Sequence, residues 1–367
     1  MTGRENLIAA LTNNNPEWIP WTPLIDYANV PCFVNSDVLK SGEKDLYDLA
    51  LYYQEELQCD ILINADPVRG CFRKTKVTTV RDKDIVTTRL ELDGEVLTRR
   101  IREVKVGGMD TSAIIEYFLK DENDLLIYEK ILNDTYLEYN KAEFEKITKK
   151  IGDRGLVNTI GPRTPITKLI IELMGIENFT YVYEDEPELV DRVIKKMHEI
   201  AKLHYKMILE SGLDFEFVLN FEDQDILLTS PETYRKYIFP MMKEYCDMTH
   251  KAGKLYMMHA CGHVKPFLNM IKEAEIDAHH YLSDAPVGDT SPGEARAIWN
   301  DKINIMAAID PLLLAEGTPQ QVKDNLLSIL NQLKGGNFLI MSAMKPDIPE
   351  ENLRIIQKTM REVNGLV

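Results

Sequence analysis

The chain has 367 residues, of which 44% are hydrophobic and 28% charged, and its formal net charge is −16. This length allows a large buried core, while the acidic balance argues against general nucleic-acid binding and against docking on an anionic membrane. The five cysteines are irregularly spaced and predict no disulfide framework, and no apolar run approaches the roughly 20 residues of a membrane-spanning helix. The polar N-terminus has no signal-peptide core, so we expect a soluble cytoplasmic protein.

Short apolar runs rich in β-branched or aromatic residues recur along the chain, each followed by a turn and a long amphipathic segment. The eight runs are Trp18–Asp26, Cys59–Pro67, Gly155–Pro162, Leu213–Asp223, Lys254–Gly262, Ile276–Asp284, Ile303–Pro311 and Asn337–Pro346. Continuous apolar character is typical of strands buried on both faces of a parallel sheet. Eight such strands with helices between them predict an α/β fold, a (β/α)8 TIM barrel.

Helix signals accompany these strands. Apolar residues at helical spacing predict a helix over Pro187–Ser211, and Ser230 and Thr318 are predicted N-caps because each precedes a proline at the first helical position.

One stretch departs from the repeat. From Cys71 to Val106 the sequence alternates Thr, Val, Arg and Leu, which predicts two or three antiparallel strands inserted after the second barrel strand. Residues 110–150 are heavily charged and are predicted to be helical. We therefore expect a single barrel domain over residues 1–367, with a β insertion at about residues 71–106.

The active site of such a barrel lies at the C-terminal ends of the strands, so the polar residues at those ends are the candidate site residues. Those expected to contact the substrate are Asp26, Arg163, His280, Asp284 and Met344. Arg163 is suited to a bidentate contact with an anionic substrate, and an ordinary salt bridge is the alternative. His279 and His280 are adjacent in a strand and face opposite sides, so we expect one to face the barrel and the other to pack.

The sharpest signal is the pair His259 and Cys261. Two positions apart in a strand, the two side chains point to the same face, so that a ring nitrogen and a sulfur converge on one metal ion. Imidazole and thiolate are good zinc ligands. The alternative is a buried cysteine beside a hydrogen-bonded histidine.

A zinc site needs a third protein ligand. Glu222, at the end of the preceding strand, is the first choice and a candidate catalytic residue; the alternative is an acid at a helix N-terminus. Asp284 and Met344 remain open as third ligands, although a thioether is a poor zinc ligand. His263, a second candidate catalytic residue, is expected to cap the next helix or to face the substrate pocket. No Walker loop, dinucleotide fingerprint or Gly-x-Ser-x-Gly elbow is present, which argues against nucleotide-driven and serine-hydrolase chemistry.

Several segments together resemble the uroporphyrinogen decarboxylase superfamily over nearly the whole chain. They are Gly3–Leu11 leading into Pro16–Pro20, Gly161–Thr164, Leu228–Glu232, Ile238–Pro240, and Ala307–Pro311 followed by Glu316–Pro319. The decarboxylases of that superfamily carry an arginine-bearing segment after the first strand that grips the porphyrinogen carboxylates. Here that place, Leu24–Pro31, contains no arginine, which disfavours the decarboxylase branch.

A second branch comprises zinc-dependent, corrinoid-linked methyltransferases, whose zinc motif is His-x-Cys plus a distant cysteine on the last strand. His259 and Cys261 match the first part, but Leu339–Lys345 contains no cysteine. This departure disfavours the thiol-methylating members and leaves those that take a methyl group from an oxygen or nitrogen donor. Zinc with fewer thiolate ligands is the stronger Lewis acid toward an ether oxygen.

The resemblance implies a methyltransferase that moves a methyl group from a methylated small molecule, a methoxylated aromatic, to the Co(I) of a corrinoid. The implied cofactors are zinc and a corrinoid supplied by a cobalamin-binding partner protein, with a homodimer left open. A methylcobalamin:thiol methyltransferase, a porphyrinogen-type decarboxylase and a catalytically silent binding barrel remain the alternatives.

Overall fold

A computed structural model describes residues 1–24, 46–106, 109–343 and 348–366. The strands of its main sheet are β1 (Trp21–Leu24), β2 (Ile61–Ala65), β9 (Gly155–Gly161), β10 (Phe217–Phe221), β11 (Leu255–His259), β12 (Ala278–Leu282), β13 (Asn304–Ala308) and β14 (Phe338–Ala343). These eight strands lie in the order β1-β14-β13-β12-β11-β10-β9-β2, and every pairing among them is parallel.

The two end strands, β1 and β2, lie side by side and nearly close the sheet into a barrel. The backbone N–H of Asp60, just before β2, donates to the carbonyl oxygen of Trp21 at 2.8 Å, and the Asp60 carboxylate accepts from the Trp21 N–H at 3.0 Å. Each barrel strand lies inside one of the eight apolar runs, so the predicted (β/α)8 barrel is confirmed. The physical basis is continuous burial: all five residues of β12 and of β13 are buried.

Most helices follow the barrel strands and cover the outside of the sheet, whereas the first, which precedes β1, packs Leu7 and Leu11 against Leu62 and Leu156. The helices span Gly3–Leu11, Leu46–Leu57, Glu122–Asp134, Lys141–Ile151, Pro165–Lys168, Gly175–Asp185, Pro187–Leu209, Pro231–Thr233, Phe239–Lys251, Leu268–Glu273, Pro292–Trp299, Pro311–Glu316, Pro319–Gln332 and Glu350–Val363. The described chain also forms two short π-helical segments, Leu169–Met174 and Tyr234–Ile238, and two 3-10 turns, Gly152–Arg154 and Lys265–Phe267.

The predicted caps are confirmed at two helix starts. The Ser230 hydroxyl accepts from the Thr233 N–H at 3.1 Å, and Thr318 forms a capping box with Gln321. Both satisfy backbone donors that a helix start leaves without an intrahelical partner. Within the described part of the chain, none of the helices combines the length and apolar character needed to cross a bilayer.

The antiparallel segment after the second barrel strand is also confirmed, but it is longer than predicted. One sheet comprises β4 (Lys76–Asp82), β5 (Ile85–Leu92), β6 (Glu95–Val106) and β7 (Met109–Glu116). A two-stranded ribbon joins β3 (Val68–Phe72) to β8 (Thr135–Tyr139). The predicted helix over residues 110–150 is therefore wrong at two places, because β7 and β8 find partners in β6 and β3, and this pairing outweighs the local charge pattern.

Candidate metal centre and active site

The site begins where β10 and β11 end side by side. Phe221 pairs with His259 in the strand register, and both Glu222 and Asp223 then turn over the end of β11, their N–H groups donating to the His259 carbonyl oxygen at 3.1 and 3.0 Å. Asp223 adopts a positive φ of 48°, a left-handed conformation that aspartate tolerates better than most residues. The turn directs the Asp223 carboxylate at His259, with Oδ1 3.3 Å from Nε2.

Asp223, His259 and Cys261 bring three possible metal ligands together. One carboxylate oxygen, one ring nitrogen and the Cys261 sulfur all lie within 4.8 Å of one another. His259 is buried and the other two are half-buried. A set of one nitrogen, one sulfur and one oxygen donor at the C-terminal mouth of a barrel suits zinc with an open fourth position, so the residues present fit the ion.

The surroundings set the protonation of these ligands. Burial lowers the pKa of His259, which keeps the imidazole neutral, the form that binds metal. Burial, followed by the negative charge of Asp223, raises the pKa of the Cys261 thiol to about 11. A thiol with that pKa is protonated at neutral pH, so a cation is required to hold the thiolate there.

Arg163, two residues after the end of β9, orients the Asp223 carboxylate by binding its Oδ2 atom. Its Nη1 donates to Asp223 Oδ2 at 2.9 Å, and its Nε lies 3.0 Å from Glu172 Oε1. The guanidinium is thus engaged by two carboxylates, which corresponds to the salt-bridge alternative raised from the sequence. It holds Asp223 in the orientation in which Oδ1 faces His259.

The adjacent histidines of β12 point to opposite sides, as strand alternation requires. His280 faces the barrel, where its Nδ1 lies 2.7 Å from His259 Nδ1. His279 faces outward and packs against the Trp299 ring, with ring centroids 5.2 Å apart.

Glu222 belongs to a different cluster. Its carboxylate is fully buried and accepts hydrogen bonds from the Thr164 N–H at 3.0 Å and from the hydroxyls of Thr164 and Thr167. Burial raises its pKa. The structure therefore places Glu222 against the helix Pro165–Lys168 and brings Asp223 to the position expected of Glu222.

Two further predicted site residues, His263 and Asp284, are not part of this donor group. His263 contacts Asp225, Nδ1 to Oδ2 at 3.1 Å, and the hydrogen bond to that carboxylate raises the pKa of His263. Asp284 is exposed and accepts from the Ala285 N–H at 2.7 Å. Asp26 and Met344 lie outside the described residues.

A cavity of about 500 Å³ adjoins the cluster on the β9 side. Phe221 forms part of its wall and packs on His259, with ring centroids 5.2 Å apart, and Arg163 forms another part. The remaining wall is largely apolar and includes Phe72, Tyr128, Leu137, Ile160, Met197, Ile200 and Ala201. These lining residues come from β3, β8, β9 and two helices, so no local sequence signal could have grouped them.

Glu222, and not its neighbour Asp223, was predicted as the third ligand. Strand alternation alone cannot tell which of two adjacent carboxylates turns toward His259 and Cys261 once the chain leaves the strand.

The family described as Uroporphyrinogen decarboxylase (URO-D) matches residues 103–363. Among solved structures, the chain is similar to a methyltransferase from Methanosarcina mazei, with a TM-score of 0.62 and 13% identity over 99% of each chain. It is also similar to a B12-independent methionine synthase from Shewanella sp. W3-18-1 in complex with selenomethionine, with a TM-score of 0.52 and 11% identity over 95% of this chain and 97% of that one. Such identities show a shared fold alone, and no curated protein sequence matches significantly. Because the family match covers more than half of its residues, the chain belongs to the uroporphyrinogen decarboxylase family.

Proposed function

We propose that this protein is a zinc-dependent methyltransferase that moves a methyl group from a methoxylated aromatic compound to the Co(I) of a corrinoid carried by a partner protein. The observation that carries the proposal is the convergence of Asp223, His259 and Cys261 within 4.8 Å at the barrel mouth. The structural likeness to a methyltransferase is compatible with it.

The metal would be held by His259 Nε2, Cys261 Sγ and an oxygen of Asp223. Zinc at this place would supply Lewis acidity toward an ether oxygen. The protein itself holds the three ligands close together. His259 is fixed at the end of β11, Cys261 follows it two residues later, and Arg163 orients the Asp223 carboxylate. Pre-set ligands of this kind need no reorganisation when the leaving oxygen develops negative charge.

The size and lining of the cavity beside the cluster are suited to an aromatic methyl donor. Its volume of about 500 Å³ lies in the usual range of small-molecule sites, and its wall is largely apolar. An aryl ring seated against Phe221 would be shielded from water next to His259. In the transfer the O–CH3 bond would break with its electron pair left on the aryl oxygen, which would take a proton from solvent. The Co(I) of the partner's corrinoid would supply the electron pair of the new carbon–cobalt bond and become methyl-Co(III).

Zinc content is the first test. Purified protein is expected to contain about one zinc per chain, and Cys261→Ala is expected to lose it because the sulfur ligand is gone. Cys71→Ala is the matched control, since Cys71 is also a half-buried free cysteine but lies on β3, outside the donor group. A folded Cys261→Ala protein with full zinc content would rule out this ligand set.

Methyl transfer is the second test. Reduced cob(I)alamin, alone or on a corrinoid protein, is mixed with the enzyme and a series of methoxybenzenes, and methylcob(III)alamin is followed by its absorbance. We expect methylation that depends on zinc and is absent in Cys261→Ala. Turnover of methylcobalamin with a small thiol, but none with methoxybenzenes, would establish the thiol methyltransferase instead. Metal-independent release of CO2 from a porphyrinogen tetra-acid would establish the decarboxylase.

A further inference from the structure

Two buried histidines of the barrel mouth, His259 and His280, contact each other through their Nδ1 atoms. They pair across β11 and β12, and their Nδ1 atoms are 2.7 Å apart. The exposed fractions of His259 and His280 are 7% and 0%. Two ring nitrogens at this distance share one hydrogen, because two lone pairs would repel each other.

The position of that hydrogen decides whether His259 is able to bind a metal. If His280 donates, His259 carries its hydrogen on Nε2, the atom that lies 3.3 Å from Asp223 Oδ1, and no lone pair faces the cluster. If His259 donates from Nδ1, the Nε2 lone pair is free and faces Asp223 and Cys261. Metal-binding histidines almost always donate their second ring N–H to an acceptor in this way.

We propose that His280 is a positioning residue of the metal centre, which accepts a hydrogen bond from His259 Nδ1 and thereby holds His259 in the tautomer that presents Nε2 to the ion. This role rests on the metal site of the proposed function and differs from the substrate contact predicted for His280 from the sequence. His280 itself touches neither metal nor substrate in this role.

The contact with His259 is the hydrogen bond that the His280 ring makes among the described residues, since its Nε2 has no partner there. His279 is the natural comparison, since it is the preceding residue of the same strand and is also fully buried. Its ring packs on Trp299, on the opposite side of the sheet from His259.

The test measures zinc affinity by competition with a chromophoric chelator, which needs no enzymatic activity. His280→Leu removes the acceptor and is expected to weaken zinc binding by about 10- to 100-fold. His280→Asn places an amide oxygen near the former Nδ1 and is expected to restore most of the affinity. His279→Leu, the matched control, is expected to bind zinc as the parent does.

Imidazole 15N chemical shifts of the parent protein give a second readout that does not depend on a variant folding. With zinc bound, His259 is expected to be protonated on Nδ1 and His280 on Nε2. A His280 protonated on Nδ1, parental affinity in folded His280→Leu, or an equal loss in His279→Leu would each overturn the role of His280. If the parent itself binds no zinc, the proposed function fails as well; if it binds zinc and His280→Leu binds equally, the positioning role alone fails.

Discussion

Arg163 and Asp223 form an ion pair at the barrel mouth that leaves one Asp223 carboxylate oxygen facing His259. Arg163 Nη1 donates a hydrogen bond to Asp223 Oδ2 at 2.9 Å, and Asp223 Oδ1 lies 3.3 Å from His259 Nε2. The arginine comes from the end of β9 and the aspartate from the turn after β10, so the pair also connects neighbouring strands.

Replacing Arg163 by Met is expected to weaken zinc binding by about tenfold, because Asp223 loses the donor that orients it. The measurement is chelator competition, as for the His280 variants. Arg235→Met is the matched control, since it breaks an exposed ion pair with Glu273 outside the site. Equal zinc affinity of Arg163→Met and the parent would show that Asp223 needs no such support.

Glu222 is expected to stabilise the fold without binding the metal. Glu222→Ala leaves the Thr164 N–H and two hydroxyls without their acceptor, and should lower the free energy of unfolding by about 3 kcal/mol in urea denaturation. Glu222→Gln keeps one acceptor oxygen and should lower it less. The exposed Glu232→Ala serves as control. Zinc content should stay unchanged in Glu222→Gln, and loss of zinc from that folded variant would instead make Glu222 a ligand.

The cavity beside Phe221 should set the KM for the methyl donor. Ala201→Phe adds an aromatic ring to the wall and is expected to raise the KM for methoxybenzenes by about tenfold, with zinc content unchanged. Ile176→Phe, at an exposed position, is the control for the added bulk. An unchanged KM in a folded Ala201→Phe protein would place the donor elsewhere.

Asp60 is expected to make stability fall as the pH rises toward neutrality. Burial raises the pKa of its carboxyl to about 7 in the folded protein, although Trp18 Nε1 and the Trp21 N–H donate to it. A folded-state pKa above the unfolded value means that the stabilising contribution is full below about pH 4 and is lost as the pH rises through 7.

The free energy of unfolding should therefore drop by roughly 2 kcal/mol more in the parent than in Asp60→Asn between pH 5 and pH 8. Urea denaturation at both pH values provides the comparison, with Asp82→Asn at an exposed strand end as control. Identical pH dependence in the parent and Asp60→Asn would mean that Asp60 titrates as in the unfolded chain.

The barrel was predictable because its signals are local. A strand covered on both faces must be apolar throughout, and the five buried residues of β12 lie inside one uninterrupted run of the sequence. Helix starts were predictable for a similar reason, since Ser230 and Thr318 satisfy backbone donors only three residues away. The strands β7 and β8 were missed because their partners, β6 and β3, decide their conformation.

The amino-acid sequence alone determined the barrel, because strands buried on both faces are continuously apolar. It also determined the shared face of His259 and Cys261, which follows from the alternation of side chains along a strand. Only the tertiary structure decided that Asp223 rather than Glu222 meets them, because a left-handed residue after β10 turns one carboxylate inward and the other toward Thr164. It also decided the contact of His259 with His280, which depends on the register between β11 and β12. Such contacts join residues distant along the chain, and their geometry exists only once the strands have paired.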